Sequence, residues 1–243
     1  MKAMIFAAGR GERMRPLTDT CPKPLLKVRG RPLIVWHILN LVRAGITEIV
    51  INHAHLGQMI EDALGDGSRF GAQLRYSPEA TALETAGAIA QARQMLGEDP
   101  FIAIASDIYS PHFSFDKLLD VLQSSDVWGN PYPPDKRDQA WIILARNPPY
   151  HPLGDFALNS FAVSNHGEPK YNFAGIGVYR PELFDGIQPG EVVKLGALLR
   201  AAADRGQLGG DLYRGEWANL GTLDDLAQVN APFTPPLAPG LPS

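Results

Sequence analysis

The 243 residues carry 26 acidic and 22 basic side chains, a formal net charge of −4, and 45% hydrophobic against 20% charged residues. That balance describes a globular chain long enough to bury a full core, and its acidity argues against a general nucleic-acid binder, which is usually basic. Cys21 is the only cysteine, so no intrachain disulfide forms, and no apolar run approaches the ~20 residues that span a bilayer.

Residues 2–7 read as a buried strand that runs directly into Ala7-Ala8-Gly9-Arg10-Gly11. The apolar stretch after Lys2 breaks at Gly9 and Arg10, which is no secretory signal, and a cytoplasmic protein is expected. Pro32 opens a helix that stops near Ala44-Gly45. Glu48–Ile51 is a second strand, Gly57–Leu64 a second helix, Gln73–Tyr76 a third strand, Thr85–Leu96 an alanine-rich helix, and Pro100–Ala105 a fourth strand ending at Ser106-Asp107. Strands alternating with helices predict a largely parallel sheet covered on both faces. Ligands of such sheets bind at the carboxyl ends of strands, where both the glycine loop and Asp107 fall.

Beyond Asp107 the pattern changes. Phe115–Leu122 reads as helical, and 124–138 as a polar, proline-rich surface insertion. Ala140–Ala145, Phe156–Val163 and Phe173–Tyr179 read as strands, and Val193–Ala203 and Thr222–Val229 as helices. Residues 231–243 form a proline-rich tail expected to be extended. The domain reading is one unit over 1–230 in two halves, 1–110 and 111–230.

Small residues at Ala7, Ala8, Gly9 and Gly11 let a polyphosphate approach backbone N–H groups, and Arg13 and Lys23 bring two positive charges to the same stretch. Two nucleotide motifs are excluded. A dinucleotide fingerprint fails because Met14 occupies the third glycine position, and a Walker A loop fails for want of Gly-Lys-Ser/Thr. Cys21 lies beside this loop without an adjacent base and is read as a bystander. The six histidines show no metal-ligand spacing.

What remains is an ordered set: AAGRGERM (7–14), Pro16-Leu17-Thr18, Pro22-Lys23-Pro24-Leu25, LETAGA (83–88), Asp107 and WANLGTLDDL (217–226). Over residues 1 to about 230 the chain resembles the sugar-1-phosphate nucleotidyltransferases. The resemblance implies an α/β fold with a Rossmann-like mixed, mostly parallel sheet, helices on both faces and a smaller sugar-binding subregion. It implies an enzyme that joins a nucleoside triphosphate to a sugar 1-phosphate and releases pyrophosphate. Arg13 is implied to neutralise the leaving phosphates, and Lys23 to bridge the α-phosphate and the incoming sugar phosphate. Asp107 and Asn219 are implied as ligands of Mg²⁺, although close relatives have aspartate at the second position. Ala7, Ala8, Gly9, Gly11, Glu79, Glu84 and Gly87 are implied at the nucleotide, and Gly154, Asp155 and Phe173 at the sugar. Glu84 stands where the family pattern has glycine, and Ser106 likewise.

Further segments (VINHAHLGQ, LGDGSRFG, YSPE, GDF at 154–156, KLGALLR, YRGEW) resemble the family branch that uses UTP and N-acetylmuramate 1-phosphate in peptidoglycan recycling. Guanylyl or thymidylyl transfer to mannose or glucose 1-phosphate stays open as an alternative, as does a nucleotide-sugar-binding regulatory homologue. The expected partners are UTP and a sugar 1-phosphate, with neither nucleic acid nor membrane, in a monomer or weak homo-oligomer.

Overall fold

The computed structural model describes residues 1–119, 121 and 138–231. Their strands are β1 (Ala3–Phe6), β2 (Lys27–Val28), β3 (Arg31–Pro32), β4 (Glu48–His53), β5 (Gln73–Pro78), β6 (Phe101–Ala105), β7 (Ile108–Tyr109), β8 (Ala140–Ala145), β9 (Phe156–Asn159), β10 (Ala162–Ser164), β11 (Lys170–Tyr179), β12 (Leu208–Leu212) and β13 (Ala218–Asn219). The helices are α1 (Leu17–Thr20), α2 (Leu33–Arg43), α3 (Gly57–Leu64), α4 (Glu84–Gln91), α5 (Arg93–Leu96), α6 (Leu195–Asp204) and α7 (Leu223–Asn230). The 124–138 insertion, Asp138 excepted, and the tail beyond Ala231 lie outside the described residues. Among the described residues no helix is long and apolar enough to cross a membrane.

Side chains alternate across a strand, and β1 shows the consequence. Ala3 and Ile5 enter one core with Ile34, Ile38 and Leu41 of α2, whereas Met4 enters another with Ala86 and Ile89 of α4 and Leu195 and Leu199 of α6. Helices therefore cover both faces. Among the described residues the main sheet has nine strands in the order β5-β4-β1-β6-β11-β8-β12-β10-β9. The first four run parallel, and β11 reverses the direction by pairing antiparallel to β6 and β8. The sheet is mixed, with its parallel character concentrated in residues before Asp107.

The parallel stretch sets out the site. Phe6 lies opposite Asn52 on one side and Ala105 on the other, so the carboxyl ends of β1, β4 and β6 open on a single edge. The glycine loop, Asn52 and Asp107 emerge there together. Because β11 is antiparallel to β6, its early residues reach past the end of β6 to the same edge. Gly175 sits there with φ 76°, and a Cβ would lie 3.0 Å from that of Ala105.

Some elements differ from the sequence reading. The alanine-rich helix divides at Ala92 into α4 and α5. Of the described residues within Phe115–Leu122, only Asp116–Leu118 winds, as one 3₁₀ turn; the Asp116 N–H donates to Ser114 Oγ at 3.4 Å, offering the backbone a local alternative to helix. Phe156–Val163 is a hairpin, β9 turning into β10 where Ser160 adopts φ 54°. Strand β12 (LGGDL) has little β-propensity. Its glycines are required by packing, since a Cβ at Gly209 would lie 2.4 Å from the Trp141 ring and one at Gly210 2.7 Å from Val163.

Candidate active site

A cleft of about 1150 Å³ opens along the carboxyl edge. Ala8, Gly9, Gly11, Arg13, Lys23, Glu79, Glu84, Asp107 and Phe173 of the expected residues line it. Ala7, Gly87, Gly154, Asp155 and Asn219 are not on its wall.

The glycine loop owes its shape to Thr18. Gly11 has φ 65°, and a Cβ there would lie 2.9 Å from Thr18 Cγ2. Thr18 is 1% exposed, and its hydroxyl donates to the Gly11 carbonyl at 2.9 Å. The Pro-Leu-Thr segment thus braces the loop from behind. The Ala7 N–H is already committed to Asn52, whose carbonyl and side-chain oxygens lie at 3.2 and 3.0 Å. The backbone N–H groups of Gly9, Arg10 and Gly11 have no partner among the described residues and remain for an anion.

Lys23 and Asp107, distant in the chain, meet at 2.9 Å between Nζ and Oδ2. Their side chains are 10% and 35% exposed, so the ammonium is nearly enclosed and the carboxylate partly open to the cleft. The Arg13 guanidinium lies against Gly221, where a Cβ would sit 3.2 Å from it, which brings the WANLGT segment to the glycine loop. That segment is anchored by β13 pairing with β7, Asn219 opposite Ile108, and by the Leu220 N–H donating to the Asp107 carbonyl at 2.8 Å. Asn219 Oδ1 is buried and has no hydrogen-bond partner among the described residues. Burial raises the pKa of the nearby Tyr150 hydroxyl.

Beneath Asp107 lies His37 of α2, 1% exposed. Burial lowers its pKa to about 4, with the backbone of Ile108, the Asp107 charge and the backbone of Ser106 acting in the opposite direction. It is a neutral imidazole supporting the β6–β7 turn. Burial also raises the Cys21 thiol pKa, consistent with a bystander.

At the end of the cleft nearest β5, Glu79 is 8% exposed and its carboxylate accepts from Asn52 Nδ2 at 2.7 Å and the Leu83 N–H at 2.9 Å. Glu84 opens α4 with φ 60°, the left-handed backbone that glycine adopts freely. Gly87 packs instead of facing the cleft: a Cβ would lie 2.0 Å from the Glu191 carbonyl oxygen, and its N–H donates to Val193 at 3.2 Å.

At the other end, Phe173 projects into the cleft while its N–H donates to Asp155 Oδ2 at 2.8 Å. The second Asp155 oxygen pairs with His151 at 3.2 Å, so this carboxylate braces β11 from behind. Gly154 has φ 66° and abuts Asn147 and the Lys170 backbone. Lys194 and Arg200 supply positive charge to this wall. Sequence reasoning had not singled out either, nor Asn52, His37 or Tyr150. KLGALLR carried the available signal for Lys194 and Arg200, and a polar residue ending the buried strand β4 was the signal for Asn52.

Residues 2–127 match the family profile described as nucleotidyl transferase. N-acetylmuramate alpha-1-phosphate uridylyltransferase of Neisseria meningitidis serogroup B is 47% identical over 240 residues, covering 95% of this chain and 97% of that protein. The chain belongs to the sugar-1-phosphate nucleotidyltransferase family. Glucose-1-phosphate thymidylyltransferase of Streptomyces griseus and mannose-1-phosphate guanylyltransferase catalytic subunit beta of Xenopus tropicalis are 28% and 27% identical, and the chain spans 65% and 62% of their lengths. A crystal structure of a Bacillus anthracis protein in complex with sucrose shares the fold, with a TM-score of 0.78 over 95% of this chain and 94% of that one at 23% identity.

Proposed function

We propose that this nucleotidyltransferase makes UDP-N-acetylmuramate and pyrophosphate from UTP and N-acetylmuramate 1-phosphate, in the cytoplasm, in the reuse of peptidoglycan sugar. Nearly full-length likeness to the Neisseria enzyme supports this substrate pair over those of the shorter-spanned relatives. In this reading residues 1–110 hold the nucleotide and 111–230 the sugar.

The single observation that carries the mechanism is the 2.9 Å approach of Lys23 to Asp107 in a cleft also lined by Arg13. The sugar phosphate is already an anion, so no general base is required. The obstacle is bringing two polyanions together in line, which calls for positioning and positive charge. The free N–H groups of Gly9 to Gly11 would hold the phosphates, with Arg13 over the departing β- and γ-phosphates. Lys23 would stand between the α-phosphate and the incoming oxygen and lower their mutual repulsion. Lys194 and Arg200 would face the sugar.

The residues present fit Mg²⁺. Asp107 provides a carboxylate and Asn219 a buried amide oxygen lacking a partner, a sparse protein set suited to an ion that takes its other oxygens from phosphate and water. When bound, the ion would withdraw charge from the α-phosphate oxygens.

The test is a matrix of nucleoside triphosphates against sugar 1-phosphates, read by pyrophosphate release. UTP with N-acetylmuramate 1-phosphate is expected to lead in Mg²⁺ and to fall silent in EDTA. A clear lead for GTP with mannose 1-phosphate would overturn the substrate assignment.

A further inference from the structure

Two segments that border the cleft, the Ala7–Gly11 loop and the turn at Leu83-Glu84 that enters α4, come from separate parts of the chain. Each follows a different arm of the sheet, one leaving β1 and the other entering α4. One chain of buried hydrogen bonds connects them. The Ala7 N–H donates to Asn52 Oδ1 at 3.0 Å, Asn52 Nδ2 donates to Glu79 Oε1 at 2.7 Å, and the Leu83 N–H donates to Glu79 Oε2 at 2.9 Å. Asn52 is 3% exposed and Glu79 8%. Asn52 lies near the end of β4 beside Phe6, and Glu79 follows β5 with its own N–H bonded to the His53 carbonyl at 2.8 Å. Both backbones are therefore fixed by the sheet, and the side chains have little freedom.

We infer that Asn52 and Glu79 are positioning residues for the nucleotide: they set the distance between phosphate loop and base turn. Both border the cleft, yet the polar atoms named here point at each other and at backbone N–H groups. A buried carboxylate is costly unless hydrogen-bonded. Here both oxygens accept N–H donors, and no cation forms an ion pair with Glu79 among the described residues. The Leu83 bond has a particular task, because the next residue, Glu84, holds a left-handed backbone with φ 60° that a non-glycine residue otherwise leaves. Loss of the connection should leave the sheet intact, since Ala7 keeps the Asn52 carbonyl at 3.2 Å. It should loosen the turn against the loop.

This assignment rests on the nucleotide site proposed above, and exchanging amide and carboxylate tests it. Asn52→Asp alone sets two carboxylates against each other, and Glu79→Gln alone forces a donor against a donor. The double variant restores every link. Its carboxylate at position 52 accepts from the Ala7 N–H and from the amide now at position 79, and the oxygen of that amide accepts from the Leu83 N–H. Each single variant is expected to raise the KM for UTP about tenfold, the loss of one hydrogen bond to a charged group. The KM for N-acetylmuramate 1-phosphate should stay within about twofold, because only the uridine end moves. The double variant should return to within about threefold of the wild-type KM for UTP. UTP binding by calorimetry is measured on all four proteins. Single variants with the wild-type KM for UTP, a double variant as impaired as the singles, or equal rises in both KM values would each overturn the inference alone. A wild type that neither binds UTP nor releases pyrophosphate would overturn the function and the inference with it.

Discussion

Removing the Lys23 ammonium should weaken turnover and, in the free protein, strengthen divalent-ion binding. The Nζ to Oδ2 separation is 2.9 Å, a gross attraction of roughly 6 kcal/mol at an effective dielectric constant near 20. Most of that is offset by desolvation of the nearly enclosed ammonium, and screening acts on a carboxylate that is 35% exposed. The net gain is about 1–2 kcal/mol, between the surface and fully buried limits for such a pair. In the free protein that attraction competes with any cation approaching Asp107. Lys23→Ala should therefore bind Mn²⁺, a stand-in for Mg²⁺, about 5- to 30-fold more tightly in the absence of nucleotide. The same variant should lose about 10²–10³ in kcat, as expected for one electrostatic contact made in the transition state. Mn²⁺ binding is read by EPR titration of free ion and kcat by pyrophosphate release. Unchanged or weaker Mn²⁺ binding would refute the competition argument, and undiminished turnover would refute the role of Lys23.

Asn219→Asp should lower the half-saturating Mg²⁺ several-fold, since it replaces an unpartnered amide oxygen with a charge. Without metal it should lower Tm by a few degrees through repulsion from Asp107; a Mg²⁺ titration and a melting curve with EDTA check both signs. Gly87→Ala should cost about 1–3 kcal/mol, because its Cβ would fall 2.0 Å from the Glu191 carbonyl oxygen; urea unfolding indistinguishable from wild type would contradict it. His37 has its pKa lowered from 6.5 to about 4, so the unfolded chain takes up a proton first as pH falls. Its neutral burial is fully compatible with stability above pH 6.5, and about 3 kcal/mol is lost between pH 6.5 and 4. His37→Gln should lack that part of the slope, as comparison of urea unfolding at about pH 7 and about pH 4.5 would reveal.

The parallel half of the fold was legible because its signals are local. Strand β1, the helix after Pro32 and Gly57–Leu64 each announce themselves by apolar runs or stop residues. Strand β12 was not, because Gly209 and Gly210 are selected by what Trp141 and Val163 leave room for. The hairpin at Ser160 was hidden for a different reason: Asn159-Ser160 is a short turn signal without glycine or proline, and the left-handed residue is serine. The motif residues of the loop could be named from their order alone, yet the meeting of Lys23 with Asp107 depends on β1 and β6 being neighbours. Asn52 and Glu79 show the limit most plainly. Each is an unremarkable polar residue at a strand end, and their purpose exists only as a pair across two strands.

The same geometry explains the places where the chain departs from its family's pattern. Ser106 replaces a glycine, but it is absent from the positive-φ residues, and its N–H donates to the Phe6 carbonyl at 3.1 Å. Nothing in the backbone at that position requires glycine. Glu84 is different, because its φ of 60° is a glycine conformation carrying a side chain, at a cost on the order of 1–2 kcal/mol. That strain lies beside the Leu83 N–H that Glu79 accepts, and the hydrogen bond to a carboxylate is of comparable size. Glycine at position 84 would make the turn permissive; glutamate makes it dependent on Glu79. Tolerance of the one substitution and tension at the other follow from backbone angle alone, and a turn held this way can be released by a change at Asn52 or Glu79.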